Sequence, residues 1–213
     1  MTNQALRSYG GVSAADRRAD RRARLIAAAR TAWGESGIAA VTVRGVCKSA
    51  GLTDRYFYEH FANREDLLAA VADEVRDQLL ATLVHAGVSS AGSAEHRLRA
   101  ALRAFLEAVA SDRHIHRIVA SDPGDIPALR QRRHDVLTLI ADLVVDHAPA
   151  ALAITPAPDR LRRAALFITG GVNQLIEQWL DDPEAMTAAE LAAECAHMCI
   201  SVLGDTHGAP ERP

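Results

Sequence analysis

Apolar residues recur at spacings of three and four along most of this chain, and no segment sustains a two-residue alternation. The first clear stripe contains Leu25, Ala29 and Trp33. It follows Ser13-Ala-Ala-Asp16, which resembles a capping box, and it precedes a stop at Gly37. The pattern predicts an all-α fold without a sheet.

The remaining helices are predicted from their capping residues and from the Gly and Pro residues between them. Thr42 and Thr53 each begin a short helix, and Asn63 begins a longer one that fades near His85, before a loop over 87–92. Gly204 is expected to end the last helix in a left-handed conformation. The helices expected beyond the loop cover 94–110, 113–120, 127–147, 158–180 and 188–203.

This pattern divides the chain into four parts. A polar segment without period, 1–15, predicts a flexible N-terminal arm, and 205–213 predicts a flexible tail. Between them we expect a three-helix domain over 16–62 and a larger helical domain over 63–204.

Composition agrees with a soluble helical protein. Aromatic residues supply only 4% of the chain and Ala much of its apolar content, which favours helices. No apolar run reaches the length of a bilayer span, no secretory signal begins the chain, and Cys47, Cys195 and Cys199 form no paired framework. We therefore expect a cytoplasmic location.

The net charge of −3 is unevenly distributed. Residues 1–70 hold eleven Arg or Lys against seven Asp or Glu, whereas 71–213 hold thirteen against twenty. A basic first third on an acidic body favours contact with a polyanion at one end. On charge alone, a solvated charged helix explains the same numbers.

Residues 42–61 carry the most specific signal. Two helices of about two turns, joined at Gly51, need a third helix beneath them to be stable. The spacing turns Val43, Val46, Ala50, Leu52, Phe57 and Phe61 inward. The residues left outward can contact base edges and phosphates, and they are Arg44, Lys48, Asp54, Arg55, Tyr56, Tyr58 and His60.

The same segment resembles the helix-turn-helix of the TetR family. The resemblance covers about 20–70 and rests on Ala50-Gly51-Leu52-Thr53, Tyr58-Glu59-His60-Phe61 and Asn63-Arg64-Glu65-Asp66-Leu67-Leu68, with Thr42 and Val46 before them. It implies a dimeric regulator on a palindromic operator of double-stranded DNA, most often a repressor released by a small ligand. We expect no enzymatic activity, no cofactor and no metal.

The resemblance also implies individual roles. Thr42 matches a capping and phosphate-binding residue, and Arg44 a position that commonly contacts base or phosphate. Tyr58 and His60 match a pair that holds the DNA backbone, and Arg64 replaces a more usual Lys that grips phosphate. The variable positions that set operator sequence are Asp54, Arg55 and Tyr56, and the expected contact set also includes Lys48 and Thr53.

Two residues depart from the family pattern, and two interpretations remain open. Phe57 stands where Leu is more usual in the family, and Arg64 stands where Lys is more usual. Each of the outward-facing residues of 42–61, considered alone, is also explained as an ordinary surface residue. The run RRADRRAR, 17–24, either tracks phosphate or forms the exposed side of the first helix.

Two late helices carry apolar stripes that a dimer would bury. The resemblance implies a four-helix interface between subunits, whereas an internal core explains the same stripes. The expected interface residues are Leu161, Ile168, Val172, Leu175, Leu191, Cys195, Met198 and Val202.

An effector pocket is expected among the helices of 94–180. Its candidates combine apolar walls with a few polar groups, although packing explains each one separately. They are Phe105, His114, His116, Phe167, Asn173, Gln174, Glu177 and Trp179.

Two alternatives remain open. His114-x-His116 and Cys195-x-x-x-Cys199 are the tightest metal or thiol clusters, yet neither matches a structural zinc pattern. A helical enzyme is the other, although the chain has no phosphate loop, no GxSxG and no HExxH.

Overall fold

A computed structural model describes residues 13–121, 124 and 126–206. This part of the chain is helical, without strands, as the pattern predicts. The expected arm and tail fall mostly on 1–12 and 207–213, outside the described residues. The helices are α1 Ala14–Ser36, α2 Val43–Ala50, α3 Asp54–Tyr58, α4 Arg64–Ser89, α5 Ala94–Ser111, α6 Arg113–Val119, α7 Pro127–Leu152, α8 Pro158–Asp181 and α9 Ala188–Gly204, with a 3₁₀ turn at Ile38–Ala40.

Side-chain caps begin most of the helices that the sequence predicts. Ser13 and Thr187 each form a complete capping box, and Thr42 and Asn63 accept from backbone N–H groups three residues on. Thr53 has the extended backbone of an N-cap, but its side chain makes no capping bond. The start of α3 therefore depends on packing rather than on a cap.

Three predicted helix ends are wrong, and for two of them the cause is visible in the packing. The long helix α4 continues past Gly87 to Ser89, because Gly87 lies close against Ala101 of α5. Helix α7 continues through Pro149 to Leu152, where Ala148 and Leu152 pack into an apolar cluster that offsets the lost hydrogen bond. Gly204 is the last residue of α9 and is not left-handed.

The first three helices surround a small core that continues into α4. Leu25 and Trp33 of α1 are buried together with Val46 of α2 and Phe57 of α3. Leu67 at the start of α4 belongs to the same cluster, so the small domain and the larger one share packing.

The larger domain is a bundle in which α5 packs between α4 and α9, and α7 packs on α8 and α4. The main core extends into α9 through Leu191 and Cys195. A second cluster, which includes Leu161, Ile168 and Cys199, closes the end of the bundle formed by the start of α8 and the end of α9.

Helices α1 and α6 form the joint between the two domains. The Trp33 indole N–H donates to Ser121 Oγ at 2.8 Å, and Arg117 donates to the Glu35 carbonyl. Gly34 faces His114 so closely that an added Cβ would lie 2.5 Å from the His114 Cβ. The joint is thus both hydrogen-bonded and tightly packed.

We predict that Gly34→Ala destabilises the protein by about 1 to 2 kcal/mol. The new methyl overpacks the joint, which outweighs the gain in helix propensity. Gly204→Ala is the control, since its Cβ meets nothing within 4 Å. Urea denaturation at fixed protein concentration measures both, and equal stability of the two variants would contradict tight packing at this joint.

Candidate nucleic-acid interface

The turn between α2 and α3 is formed by Gly51 in the left-handed conformation, with φ 65° and ψ 37°. The Leu52 N–H donates to the Cys47 carbonyl at 2.9 Å, and the Gly51 N–H donates to the Lys48 carbonyl. These bonds close the end of α2 in the way a left-handed glycine permits. The two short helices are thereby joined by a tight turn at the predicted residue.

The side chains predicted to point inward do so. Val46, Phe57 and Phe61 are almost completely buried, Ala50 is buried, and Val43 and Leu52 are half-buried against the same core. Phe57 also packs edge-on against the ring of Tyr58. Burial of α3 through Phe57 fixes which of its faces remains outside.

The outward face of the pair presents polar and aromatic groups. The Arg55 side chain is 86% exposed and pairs with Glu59, one turn on, at 3.3 Å. Tyr56 is 36% and Tyr58 61% exposed. The other exposed members of the predicted set are Thr42, Arg44, Lys48, Thr53 and Asp54. A projecting helix of this kind has the donors and rings that contact a DNA groove.

Arg64 has a different environment from the one expected. Its guanidinium is half-buried and donates to the carbonyls of Ile38 and Val41. The side chain therefore ties the start of α4 to the segment before α2 and does not project towards solvent.

The arginines of α1 are the part of the site that the sequence left open. Arg18 donates to the Glu59 carbonyl, Arg24 donates to the Ala50 carbonyl, and Arg21 lies over the Tyr56 ring at 4.7 Å. The run 17–24 thus contacts the ends of α2 and α3 from one side. These arginines support α3 by their contacts and add positive charge beside it.

His60 lies half-buried among these arginines. Burial and the neighbouring Arg18 and Arg21 lower its pKa below the ordinary histidine value. Among the described residues its Nε2 has no hydrogen-bond partner, although that atom is buried. His60 is therefore neutral at pH 7 and retains an unused ring nitrogen beside the exposed face.

The effector candidates do not gather around one cavity. Phe105 packs against the core, and the Trp179 indole N–H donates to the Met186 carbonyl at 2.8 Å. His116 Nε2 lies 3.2 Å from the Leu180 carbonyl, and His114 packs on Gly34. These four have packing roles that explain their positions.

The other four candidates lie on α8. Asn173 donates to Glu177 at 2.8 Å, and Gln174 is exposed. Glu177 lines a cleft of about 270 Å³ at the end of α8, whereas Phe167 lines a separate cleft of about 280 Å³ near its start. The two clefts are at opposite ends of the helix.

The residues predicted for the dimer interface differ in their exposure within the single chain. Leu161, Ile168, Leu191 and Cys195 are buried within the single chain, because they form its own core. Val172, Leu175 and Val202 are half-buried. Only Met198 of the expected set is exposed, at 43%.

A different face of α8 is apolar and open. Leu166 and Phe167 are 50% and 70% exposed, and Gly170 and Gly171 follow one turn on, with no neighbouring atom within 4 Å of an added Cβ. With Met198 these residues form what we call the outer α8–α9 face. It is offset from the predicted stripe by one or two positions along the helix.

The three cysteines are free and buried. Burial, with Asp54 as a hydrogen-bonded neighbour, raises the pKa of Cys47 to about 11, and burial raises the pKa of Cys199 to about 11 and that of Cys195 as well. Thiols held protonated are poor nucleophiles. Across the described ranges, no three His, Cys, Asp or Glu side chains lie together as metal ligands would, and no helix is long and apolar enough to span a membrane.

The geometry of 14–61 is that of a helix-turn-helix DNA-binding domain. Residues 25–71 match the family model of the bacterial regulatory proteins of the tetR family. The chain is also 27% identical over 186 residues to the probable HTH-type transcriptional regulator ArpR of Pseudomonas putida, with 78% of this chain and 82% of that protein covered.

Solved structures share the whole fold. A transcriptional regulator from Rhodococcus sp. RHA1 superposes with a TM-score of 0.68 at 21% identity, covering 89% of this chain and 99% of the other. FadR from Bacillus subtilis, in complex with stearoyl-CoA, superposes with a TM-score of 0.66 at 19% identity, covering 84% of this chain and 98% of the other. SmeT is the repressor of the Stenotrophomonas maltophilia multidrug efflux pump SmeDEF. It superposes with a TM-score of 0.64 at 18% identity, covering 85% of this chain and 91% of the other.

The chain is therefore similar to the bacterial regulatory proteins of the tetR family over 25–71, and to an HTH-type transcriptional regulator over most of its length.

We predict that stability falls between about pH 7 and pH 5.5, partly through His60. An unfolded histidine takes up a proton near pH 6.5, whereas folded His60 resists protonation, so the unfolded state binds more protons as pH falls. His60→Gln should make this decline shallower, and His134→Gln, on the exposed surface of α7, serves as the control. Denaturant unfolding at both pH values measures the difference, and equal declines in wild type and His60→Gln would contradict it.

Proposed function

We propose that this protein is a homodimeric repressor that leaves a palindromic operator when a small organic effector binds its C-terminal domain. The observation that supports this most directly is the projecting helix α3. Its buried Phe57 sets the orientation of the exposed Arg55 and Tyr56, in a segment that matches the tetR family model. The relatives described above include a repressor and a regulator bound to an acyl-CoA, which makes ligand-controlled repression a consistent choice.

In the proposed complex α3 lies in the major groove. Arg55 reads a guanine edge through two hydrogen bonds, and Asp54 and Tyr56 complete the sequence preference. The remaining contacts go to phosphates, which orient the domain without reading sequence. We assign that role to Thr42, Arg44, Lys48, Thr53, Tyr58 and His60.

Arg64 keeps a place in the proposed site as a positioning residue. Because its guanidinium holds the Ile38 and Val41 carbonyls, it fixes the start of α2 relative to α4. Movement of α4 is thereby transmitted to the DNA-reading pair. Phosphate contact by the α4 N-terminus uses the amide groups there.

The proposed dimer buries the outer α8–α9 face against its copy. Exposed Leu166, Phe167 and Met198 supply apolar area, and the Gly170-Gly171 pair lets two helices approach closely. A two-fold axis through this face gives the dimer two copies of α3 that contact DNA. A palindromic operator requires these two helices to lie about 34 Å apart.

The proposed signal passes from the larger domain to the smaller through the α1–α6 joint and along α4. Effector binding shifts these helices and changes the separation of the two reading helices. The raised pKa of the cysteines works against a thiol-responsive version of the same regulator.

We predict that Arg55→Ala lowers affinity for the specific operator by about 1 to 3 kcal/mol and affinity for unrelated DNA much less, since only specific binding uses the base contact. Arg103→Ala is the control, because Arg103 is an exposed arginine of α5 paired with Glu107. Fluorescence anisotropy on the gene's own upstream region, titrated with salt, measures both. Equal losses on operator and unrelated DNA would contradict base contact by Arg55.

We also predict that Phe167→Glu dissociates the dimer and abolishes tight operator binding, because it places two like charges in an apolar interface. Leu143→Glu is the control, since Leu143 is 44% exposed on α7. Light scattering at micromolar concentration gives the mass. A monomeric wild type, or a Phe167→Glu variant that stays dimeric, would contradict this interface.

A further inference from the structure

A cleft of about 270 Å³ lies where the ends of α6 and α8 meet α7. Its walls are formed by Val119, Ala120, Ser121, Arg133, Glu177, Leu180 and Asp181. The volume is slightly below the range usual for ligand pockets, so the cleft suits a small molecule. We call it the α6–α8 cleft.

The charges in this cleft do not balance. Arg133 is already paired with Glu177, and the Asn173 amide donates to the same carboxylate. Asp181 has no cation within ion-pair distance among the described residues. Asp181 is exposed, and together with Arg133 and Glu177 it leaves the cleft wall with one more negative than positive charge.

The position of Asp181 makes that charge less favourable still. Asp181 is the last residue of the 24-residue helix α8, and the last turn of this helix contains no basic residue. The C-terminal end of a helix carries partial negative charge and is stabilised by cations, not by carboxylates. Helix α6 also ends at this cleft, at Val119, and adds backbone carbonyls. The electrostatic field in the cleft favours a positive group.

The rest of the lining suits an apolar body. Val119, Ala120 and Leu180 give aliphatic surface next to the carboxylates. A molecule with a hydrocarbon part and a single ammonium head matches both features.

Ser121 connects the cleft to the DNA-binding domain. Ser121 lines the cleft, and its Oγ accepts the Trp33 indole N–H of α1 and donates to the Arg117 carbonyl. Arg117 in turn holds the Glu35 carbonyl at the end of α1. A molecule in the cleft thus touches the same residue that joins α6 to α1.

We propose that the α6–α8 cleft is a binding site for a small organic cation, an amine with an apolar body, whose ammonium group is held by Asp181. This site specifies the chemical class of effector, and its regulatory consequence rests on the proposed function. The occupant changes the Ser121–Trp33 contact and so reaches α1 directly.

The test uses three probes of matched size and shape: benzylamine, benzyl alcohol and benzoate. At pH 7 these are a cation, a neutral molecule and an anion. Isothermal titration calorimetry on the full-length protein should give benzylamine at least tenfold tighter binding than benzyl alcohol, with benzoate weakest. No preference for the cation would overturn the proposal.

A variant identifies the group that holds the ammonium. Asp181→Asn should weaken the binding of benzylamine at least fivefold and leave the binding of benzyl alcohol unchanged. Because the amide removes the unfavourable charge at the helix end, the variant should keep its fold. Asp142→Asn, paired with Arg162 of α8 near the opposite end, is the control and should bind all three as the wild type does. Equal benzylamine affinity in wild type and Asp181→Asn would overturn the assignment.

Binding to operator DNA, measured in parallel, separates this proposal from the proposed function. Operator binding without cation-selective binding of benzylamine overturns the cation site alone. Cation-selective binding by a protein that does not bind its operator supports the site and overturns the regulator mechanism. Reduced operator affinity in saturating benzylamine supports both.

Discussion

The burial of Phe57 is the constraint on which the rest of this structure depends. A helix of five residues is not stable alone in water, and α3 has no side-chain cap to begin it. It keeps its shape because Phe57 is completely buried in a core shared by α1, α2 and α4. Because that side chain fixes one face of α3, Arg55 and Tyr56 must occupy the other.

The same core connects the two domains. Trp33 belongs to the cluster beneath α3, and its indole N–H reaches Ser121 at the end of α6. Leu67 at the start of α4 packs in the same cluster, and Arg64 beside it holds the segment before α2. A shift of α6 or α4 therefore cannot leave the reading helices undisturbed, since close-packed interiors transmit displacement.

Much of the fold was predictable from local signals. Capping residues such as Asn63 and Thr187 mark helix starts because they satisfy N–H groups within three residues in sequence. The ends at Gly87, Pro149 and Gly204 were not predictable in this way. Contact with Ala101 and the cluster around Ala148 overrode the local preference for a break at Gly87 and Pro149.

The same distinction holds for the candidate site: features set by spacing within one helix were predictable, and features set by contacts between helices were not. The sequence by itself determined the all-α class and the helix-turn-helix, with Val46, Phe57 and Phe61 inside and Arg55 outside, because these depend on spacing along one helix. Only the tertiary structure decided that Arg64 faces backbone carbonyls and that Leu161 and Cys195 belong to the chain's own core. It also decided that Asp181 lies in a cleft beside the ends of two helices. Those outcomes depend on which helices become neighbours, and side-chain periodicity within one helix carries no information about its neighbours.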